Sequence, residues 1–449
     1  MKYIKLLSAL FIYSTTVNAQ EKIKILTLDP GHFHAALIQK SMYPQVDNTV
    51  HVYAEDGRDL KLHLERIEGY NKRKDEPTAW KENVYTGKDF FAKMIAEKKG
   101  NVVVLAGNNR LKTNYILESV RNGFNVFADK PMAVDIKGFE QLKLAFNEAK
   151  KKGVQLYDIM TERFEVTTQL QRAFSLEPEL FGNLEKGTPE DPSVTKISVH
   201  HFYKYVSGSV LTRPSWFFDD KQQGAGIVDV TTHLVDLIQW ECFPGQVIDY
   251  KKNVRILNAK SWTTPVSAAD FTVVTKETVP DYLKAISDSK GDIQVNCNGE
   301  FTYNINGVHA KVSVIWNYKA PDGTGDTHYS LMRGTKAALT IKQGKEENFK
   351  PTLYIEQRQK DAGFEDKLKA SVQKISQTFP GISLVKVNNG WTISVPEKYN
   401  DGHESHFAQV TKKYLEYLQN NNMPSWEVPN MISKYYTTTL AREMANKNK

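Results

Sequence analysis

Across residues 22–153 the chain alternates short apolar runs with amphipathic stretches, and this rhythm constrains the fold more than any other feature. KIKILTL, VHVYAED, NVVVLAG, FNVFADKP and VQLYDIM have the aliphatic content of strands covered on both faces. HAALIQKSM, GKDFFAKMIAE, KTNYILESVRNG and IKGFEQLKLAFNEAKKKG place apolar residues at helical spacing, and Gly123 and Gly153 end the last two. Helices that return the chain between buried strands predict an α/β unit with a doubly wound parallel sheet over residues 20–155. A chain of 449 residues is too long for that one core, so a second domain is expected over 156–449. There KISVHHFYKY, DIQVNCNGEFTYNI, HAKVSVIWNYKA and AALTIKQG alternate polar and apolar residues between turns. They predict an α+β domain with an open, mainly antiparallel sheet and helices on one face, at residues 226–240 and at HFAQVTKKYLEYLQNN. Its C-terminal helix is available to pack back on the first domain.

The first nineteen residues differ in character. Lys2 and Lys5 precede an apolar run from Leu6 to Tyr13, followed by Val17-Asn18-Ala19. This is the pattern of a Sec-type signal peptide over residues 1–19, which exports the mature chain to the periplasm. The run is too short for the roughly 20 residues of a spanning helix, so no membrane association is expected after cleavage. Without Lys2 and Lys5 the formal charge falls from +7 to +5 and is dispersed, which argues against a nucleic-acid partner. Cys242 and Cys297 allow either one disulfide or two free thiols. No Cys/His ligand spacing appears, and no metal is expected.

Three stretches carry chemistry. ILTLDPGHFHAAL reads as strand, turn and helix, where a dinucleotide-binding turn carries three glycines and this one has Gly31 alone. Helix-start amides attract phosphate even without the full motif, which makes Gly31, His32 and Phe33 candidate cofactor contacts. Glu55 or Asp56 stands about 20 residues further on, at the end of the second strand, where an acid suits a ribose 2′-hydroxyl and favours NAD over NADP. In FADKPMAV, Lys130 follows a strand whose carboxyl end faces the ligand crevice, and Pro131 stiffens the turn. In GAGIVDVTTHLVDLIQW, Asp229 and His233 lie four apart on one helical face, a pairing suited to proton transfer. Either motif alone is equally consistent with an ordinary turn or a satisfied core histidine.

Together, the Asp-Lys-Pro strand end and the Gly-rich turn with Asp-x-x-x-His about a hundred residues later resemble the Gfo/Idh/MocA family. That family pairs a nicotinamide-binding Rossmann domain with a substrate domain built on an open antiparallel sheet. The resemblance follows the element order of the whole mature chain and is most specific at VRNGFNVFADKPMAV and SWFFDDKQQGAGIVDVTTHLVD. It implies that Lys130 orients a reacting hydroxyl, that His233 exchanges its proton, and that Asp229 assists. Asn108, Asn109, Asp129 and Lys130 are implied to border the cofactor, while Lys112 stands where the family often has histidine. A small carbohydrate or cyclitol is the implied substrate, and association into homo-oligomers is common in the family. Because free NAD is scarce outside the cytoplasm, an exported member is expected to retain its cofactor. Two alternatives stay open: a glycosidase working by transient C3 oxidation and elimination, and a sugar-binding protein without chemistry.

Overall fold

The computed structural model describes residues 22–206 and 209–447, and the expected signal peptide lies outside them. In the first unit the strands are β1 (Ile25–Leu28), β2 (Thr49–Ala54), β3 (Lys81–Thr86), β4 (Val102–Leu105), β5 (Asn125–Asp129) and β6 (Leu156–Ile159). Five helices connect them: α1 (His34–Ile38), α2 (Arg58–Lys72), α3 (Phe90–Glu97), α4 (Asn109–Arg121) and α5 (Ile136–Lys152). All five strand pairs are parallel, in the order β3-β2-β1-β4-β5-β6. The strand order reverses between β1 and β4, and the crevice outside the carboxyl ends of those strands is where such sheets bind ligands. β1, β4 and β6 are buried along their whole length, Thr27 of β1 and Asp158 of β6 included. β3 and α2 are not signalled by that pattern. β3 is an exposed edge strand of sequence KENVYT, so it needs no apolar face.

After α6 (Val166–Ser175), the second unit is a nine-stranded sheet. Its first strand is β7 (Val194–Tyr203), followed by a small separate hairpin, β8 (Tyr205–Val206) with β9 (Ser209–Val210). The helices α7 (Gly226–Asp229), α8 (Thr231–Cys242) and α9 (Tyr250–Asn253) precede β10 (Val254–Val266). The short helices α10 (Ala268–Thr275) and α11 (Asp281–Lys284) lead to the long hairpin β11 (Ile293–Ile305) and β12 (Val308–Lys319). Then come β13 (Thr327–Arg333), β14 (Ala337–Lys342), β15 (Thr352–Gln357), α12 (Phe364–Ile375), β16 (Ser383–Val387) and β17 (Gly390–Ser394). The chain finishes with α13 (Gly402–Asn420) and α14 (Glu427–Lys447). The sheet order is β10-β11-β12-β7-β13-β14-β15-β17-β16, antiparallel except for β12 beside β7. The fold is therefore α/β, a Rossmann sheet followed by a mainly antiparallel mixed sheet.

The two C-terminal helices return to the first unit. Phe407, Val410 and Tyr414 of α13 and Met431 and Tyr435 of α14 share the apolar core of the parallel sheet. Further along α14, Ala441 and Ala445 belong to the core of the second unit. A buried ion network joins the same elements. Lys434 on α14 donates to Asp158 of β6 at 2.7 Å and to Asp236 of α8 at 2.8 Å. Arg163 forks onto Asp236 at 2.6 and 2.7 Å and reaches Glu427 at 2.9 Å. Asp236 is thereby a structural residue, with its carboxyl held far below the usual range by Arg163 and Lys434 against the opposing effect of burial.

No helix among the described residues is long and apolar enough to cross a membrane. Both cysteines are free, with Cys297 buried and Cys242 half-buried.

Candidate active site

A cavity of about 1110 Å³ opens between the carboxyl edge of the parallel sheet and the face of the large sheet. Two loops bring its chemistry together. Lys130 leaves the end of β5, and its Nζ donates to Asp229 Oδ1 at 2.7 Å, although the two residues are 99 positions apart. Their side chains are only 9% and 6% exposed, so this is a buried, charge-assisted pair. Asp229 closes α7 and His233 sits in the first turn of α8; both line the cavity with Lys130. The glycines of GAGIVD permit this placement. A Cβ on Gly226 would stand 1.5 Å from the Cys297 carbonyl oxygen, so the helix start lies directly on β11.

Electrostatics differ sharply over a few ångströms. Burial, reinforced by the Lys130 charge, lowers His233 to about 4, so its imidazole is neutral near pH 7 and available as a proton acceptor. Its Nδ1 is buried and makes no hydrogen bond among the described residues. Glu162 lines the same cavity; burial works against its charge, but the imidazoles of His233, His403 and His406 bring it down to about 2. The neighbouring Arg163 turns to Asp236 and Glu427, leaving Glu162 at the cavity. On the sheet face His200 stacks on Trp316 at 5.0 Å and contacts Ser198 and Asp326. His403, from the first turn of α13, was invisible as a site residue because only the return of that helix brings it there.

The cofactor candidates are distributed unevenly. His32 and Phe33 line the cavity, while Gly31 faces Asp59 and the ring of Trp216. Trp216 Nε1 donates to Asp59 at 2.7 Å, so a residue of the second unit closes over the first crossover. The amides of Gly31 and His32 are spent on the Ala106 carbonyl, at 3.2 and 3.0 Å. Gly107 lacks room for any Cβ, since one would lie 2.0 Å from the Asp29 carbonyl. Asp29 adopts a left-handed φ of 48°, and burial plus Asp59 and Glu55 raise its carboxyl to about 6. Asn108 caps α4 through Arg110 N and donates to Gln222, while Asn109 is buried and donates to the Gln223 carbonyl. Asp129 accepts from His34 at 2.9 Å. Lys112 is buried and donates to the Asp129 carbonyl at 3.1 Å.

A dinucleotide laid over this edge meets a chain that fits it in part by new means. The amides of Phe33 and His34 have no acceptor among the described residues and remain for a phosphate. Glu55 is exposed at the end of β2, as a ribose contact requires. The strand order and crevice are those of a dinucleotide-binding sheet. The phosphate contacts are fewer than three glycines would supply, and Asp29 and Asp59 lie beside them.

Residues 46–158 match the family model "Oxidoreductase family, NAD-binding Rossmann fold" of Gfo/Idh/MocA proteins, a match that begins after the unusual first crossover. Residues 170–446 match the model "Putative oxidoreductase C terminal domain". The chain is 52% identical to a Parabacteroides merdae protein described as a "putative oxidoreductase", over 96% of this chain and 98% of that one, with a TM-score of 0.93. More distant structures share the fold. A levoglucosan dehydrogenase solved with NADH and levoglucosan is 13% identical, with a TM-score of 0.61, over 95% of this chain and 98% of that one. GenD2 from gentamicin A biosynthesis, solved with NAD, is 15% identical, with a TM-score of 0.58, over 96% and 95%. A search of curated proteins returned no match in sequence. With both family models matched in order and a relative more than half identical along almost its whole length, the chain belongs to the Gfo/Idh/MocA family of NAD(P)-dependent oxidoreductases.

Proposed function

We propose that this protein oxidises a hydroxyl-bearing carbon of a sugar, glycoside or cyclitol with a retained NAD, and that it does so as an exported, periplasmic enzyme. The observation that carries this reading is the convergence of Lys130, Asp229 and His233 on one cavity. An ammonium has three donors, and Asp229 takes one, so Lys130 has two left for the oxygen of the reacting hydroxyl. Donation to that oxygen stabilises the negative charge it acquires as its proton leaves. His233 accepts the proton, and the nearby Glu162 carboxylate favours the imidazolium that results. A base near 4 is weak, so Lys130 must do much of the work by acidifying the hydroxyl. When bound, the nicotinamide supplies the acceptor for the hydride of the same carbon. The amides of Phe33 and His34 would hold phosphate and Glu55 a ribose hydroxyl, while Asn108, Asn109 and Asp129 act by fixing the surrounding loops.

A second reading, a glycosidase that oxidises C3, eliminates the aglycone, adds water and reduces the ketone back, is favoured by the size of the cavity. At about 1110 Å³ it extends from Lys130 to Thr392 of β17 and Val395 just beyond it, well past the reach of one sugar ring. The deciding experiment incubates the purified full chain with aryl glycosides and free sugars without added cofactor. Bound NAD, a keto-sugar product and lasting NADH absorbance support the dehydrogenase; phenol release without net NADH supports the glycosidase. Replacing His233 with Asn is expected to lower kcat at least 100-fold in either case, in line with the usual contribution of a general base. A chain that neither retains nor takes up NAD is a binding protein, and the proposal fails.

A further inference from the structure

His32 and His34 lie on the first crossover, and Asp129 ends β5. One ring nitrogen of each histidine and a carboxylate oxygen of Asp129 lie within 4.8 Å of one another. The carboxylate oxygen is 2.9 Å from His34 Nδ1 and 3.6 Å from His32 Nδ1. The first contact is a hydrogen bond; the second is too long for one, and His32 Nδ1, buried, has no other partner among the described residues. Two imidazole nitrogens therefore converge on one carboxylate oxygen that satisfies only one of them. Such an arrangement is poor as a hydrogen-bond cluster and good as a ligand set.

We propose that His32, His34 and Asp129 form a divalent transition-metal site whose remaining coordination positions face the large cavity. Two nitrogens and one carboxylate oxygen select zinc, cobalt, manganese or iron over magnesium and calcium, which prefer oxygen throughout. Three protein ligands leave positions for water or substrate, the layout of a reactive rather than a structural centre. The ligands are held before any metal arrives. The His32 and His34 rings meet edge to face at 4.1 Å, Phe407 packs on His34 at 4.6 Å, and Phe217 stacks on His32 at 6.3 Å. Lys112 fixes the backbone of Asp129, and Asp229 neutralises the adjacent Lys130, which reduces its repulsion of a cation. A metal here would bind adjacent oxygens of a polyol or hydroxyketone beside Lys130. The inference departs from the sequence-based expectation of no metal, because Asp129 is 95 residues from His34 and no local spacing announces it.

The test uses the full chain, stripped with a chelator and titrated with Co²⁺ alone and then Zn²⁺ alone, with no substrate or turnover. One equivalent of metal by elemental analysis, visible Co²⁺ bands and a raised thermal midpoint are expected. His32→Gln is expected to weaken Co²⁺ binding at least tenfold and to remove the midpoint shift; because the His32 ring makes no hydrogen bond among the described residues and its amide bond to Ala106 is kept, this variant should fold. His51→Gln, on β2, is expected to bind as wild type. Binding of less than 0.1 equivalent, or unchanged Co²⁺ affinity in His32→Gln, overturns the site whatever the enzyme proves to catalyse.

Discussion

Neutralising Asp229 tests the pair at the heart of the site. In Asp229→Asn the shape and one acceptor oxygen survive while the charge disappears. Lys130 Nζ lies 2.7 Å from Asp229 Oδ1, with both side chains under a tenth exposed. At an effective dielectric constant of ~20, two unit charges at that separation attract by about 6 kcal/mol. Desolvation offsets much of that gain, and removing one member of such a pair typically costs about 3–5 kcal/mol because the other charge is left buried. Asparagine keeps an acceptor, so a loss of about 3 kcal/mol is expected. Urea unfolding at pH 7, followed by fluorescence and circular dichroism, measures it. The cycle with Lys130→Met separates the pair from its surroundings: the double variant should be at least about 2 kcal/mol more stable than the sum of the single losses predicts. A single loss below about 0.5 kcal/mol, or additive losses in the cycle, would refute the claim that a buried ion pair holds the lysine in place.

Gly226→Ala is expected to cost about 3 kcal/mol, the upper part of the overpacking range, because its Cβ would meet the rigid Cys297 carbonyl at 1.5 Å. Activity should fall with it, since Asp229 and His233 ride on the displaced helices; a fully active, equally stable variant would count against the packing described. Acid should destabilise the fold through its buried histidines. Burial lowers His63 to about 3, and burial lowers His34 well below 6.5 as well. Unfolding lets both take up protons, so stability is intact above about 6.5 and declines as pH falls toward the folded-state values, by about 1.4 kcal/mol per pH unit for each group. Because burial lowers His32, His233 and His403 as well, His63→Gln should remove only one group's share, about 1 kcal/mol per pH unit, from the slope of stability between pH 6 and 5, and a flat midpoint in wild type over that interval would contradict the prediction.

The parallel sheet was legible because its strands are buried on both faces and betray themselves as runs such as NVVVLAG. Where burial is one-sided or absent, the pattern thins: KENVYT forms β3 with its side chains largely in solvent, and nothing in its composition marks it. α14 is obscure for the opposite reason. Asn430, Ser433, Lys434, Thr437, Thr438 and Thr439 are all buried, so the helix lacks the polar face that periodicity detects. The site shows the same division. Lys130 could be placed from the end of a strand, and Asp229 with His233 from helical spacing, since both inferences are local. The partners of Arg163 and the meeting of His32 with Asp129 depend on contacts between distant segments, which one-dimensional patterns do not carry. Asn109 likewise donates to the Gln223 carbonyl 114 residues away, while its Oδ1 is buried with no partner among the described residues.

The way α14 fastens the two units has a mechanical consequence. Many two-lobed enzymes admit substrate by swinging about a hinge. Here such a swing would pull Lys434 from Asp158 on one lobe or Asp236 on the other, leaving a charge stranded in the interior. At about 3–5 kcal/mol for that separation, an open form would make up less than about one molecule in a hundred. Ligands must then enter and leave past the rim of a standing cleft, where Lys40 and Glu404 form an ion pair. The pace of exchange becomes a property of the side chains at that rim instead of a motion of whole lobes.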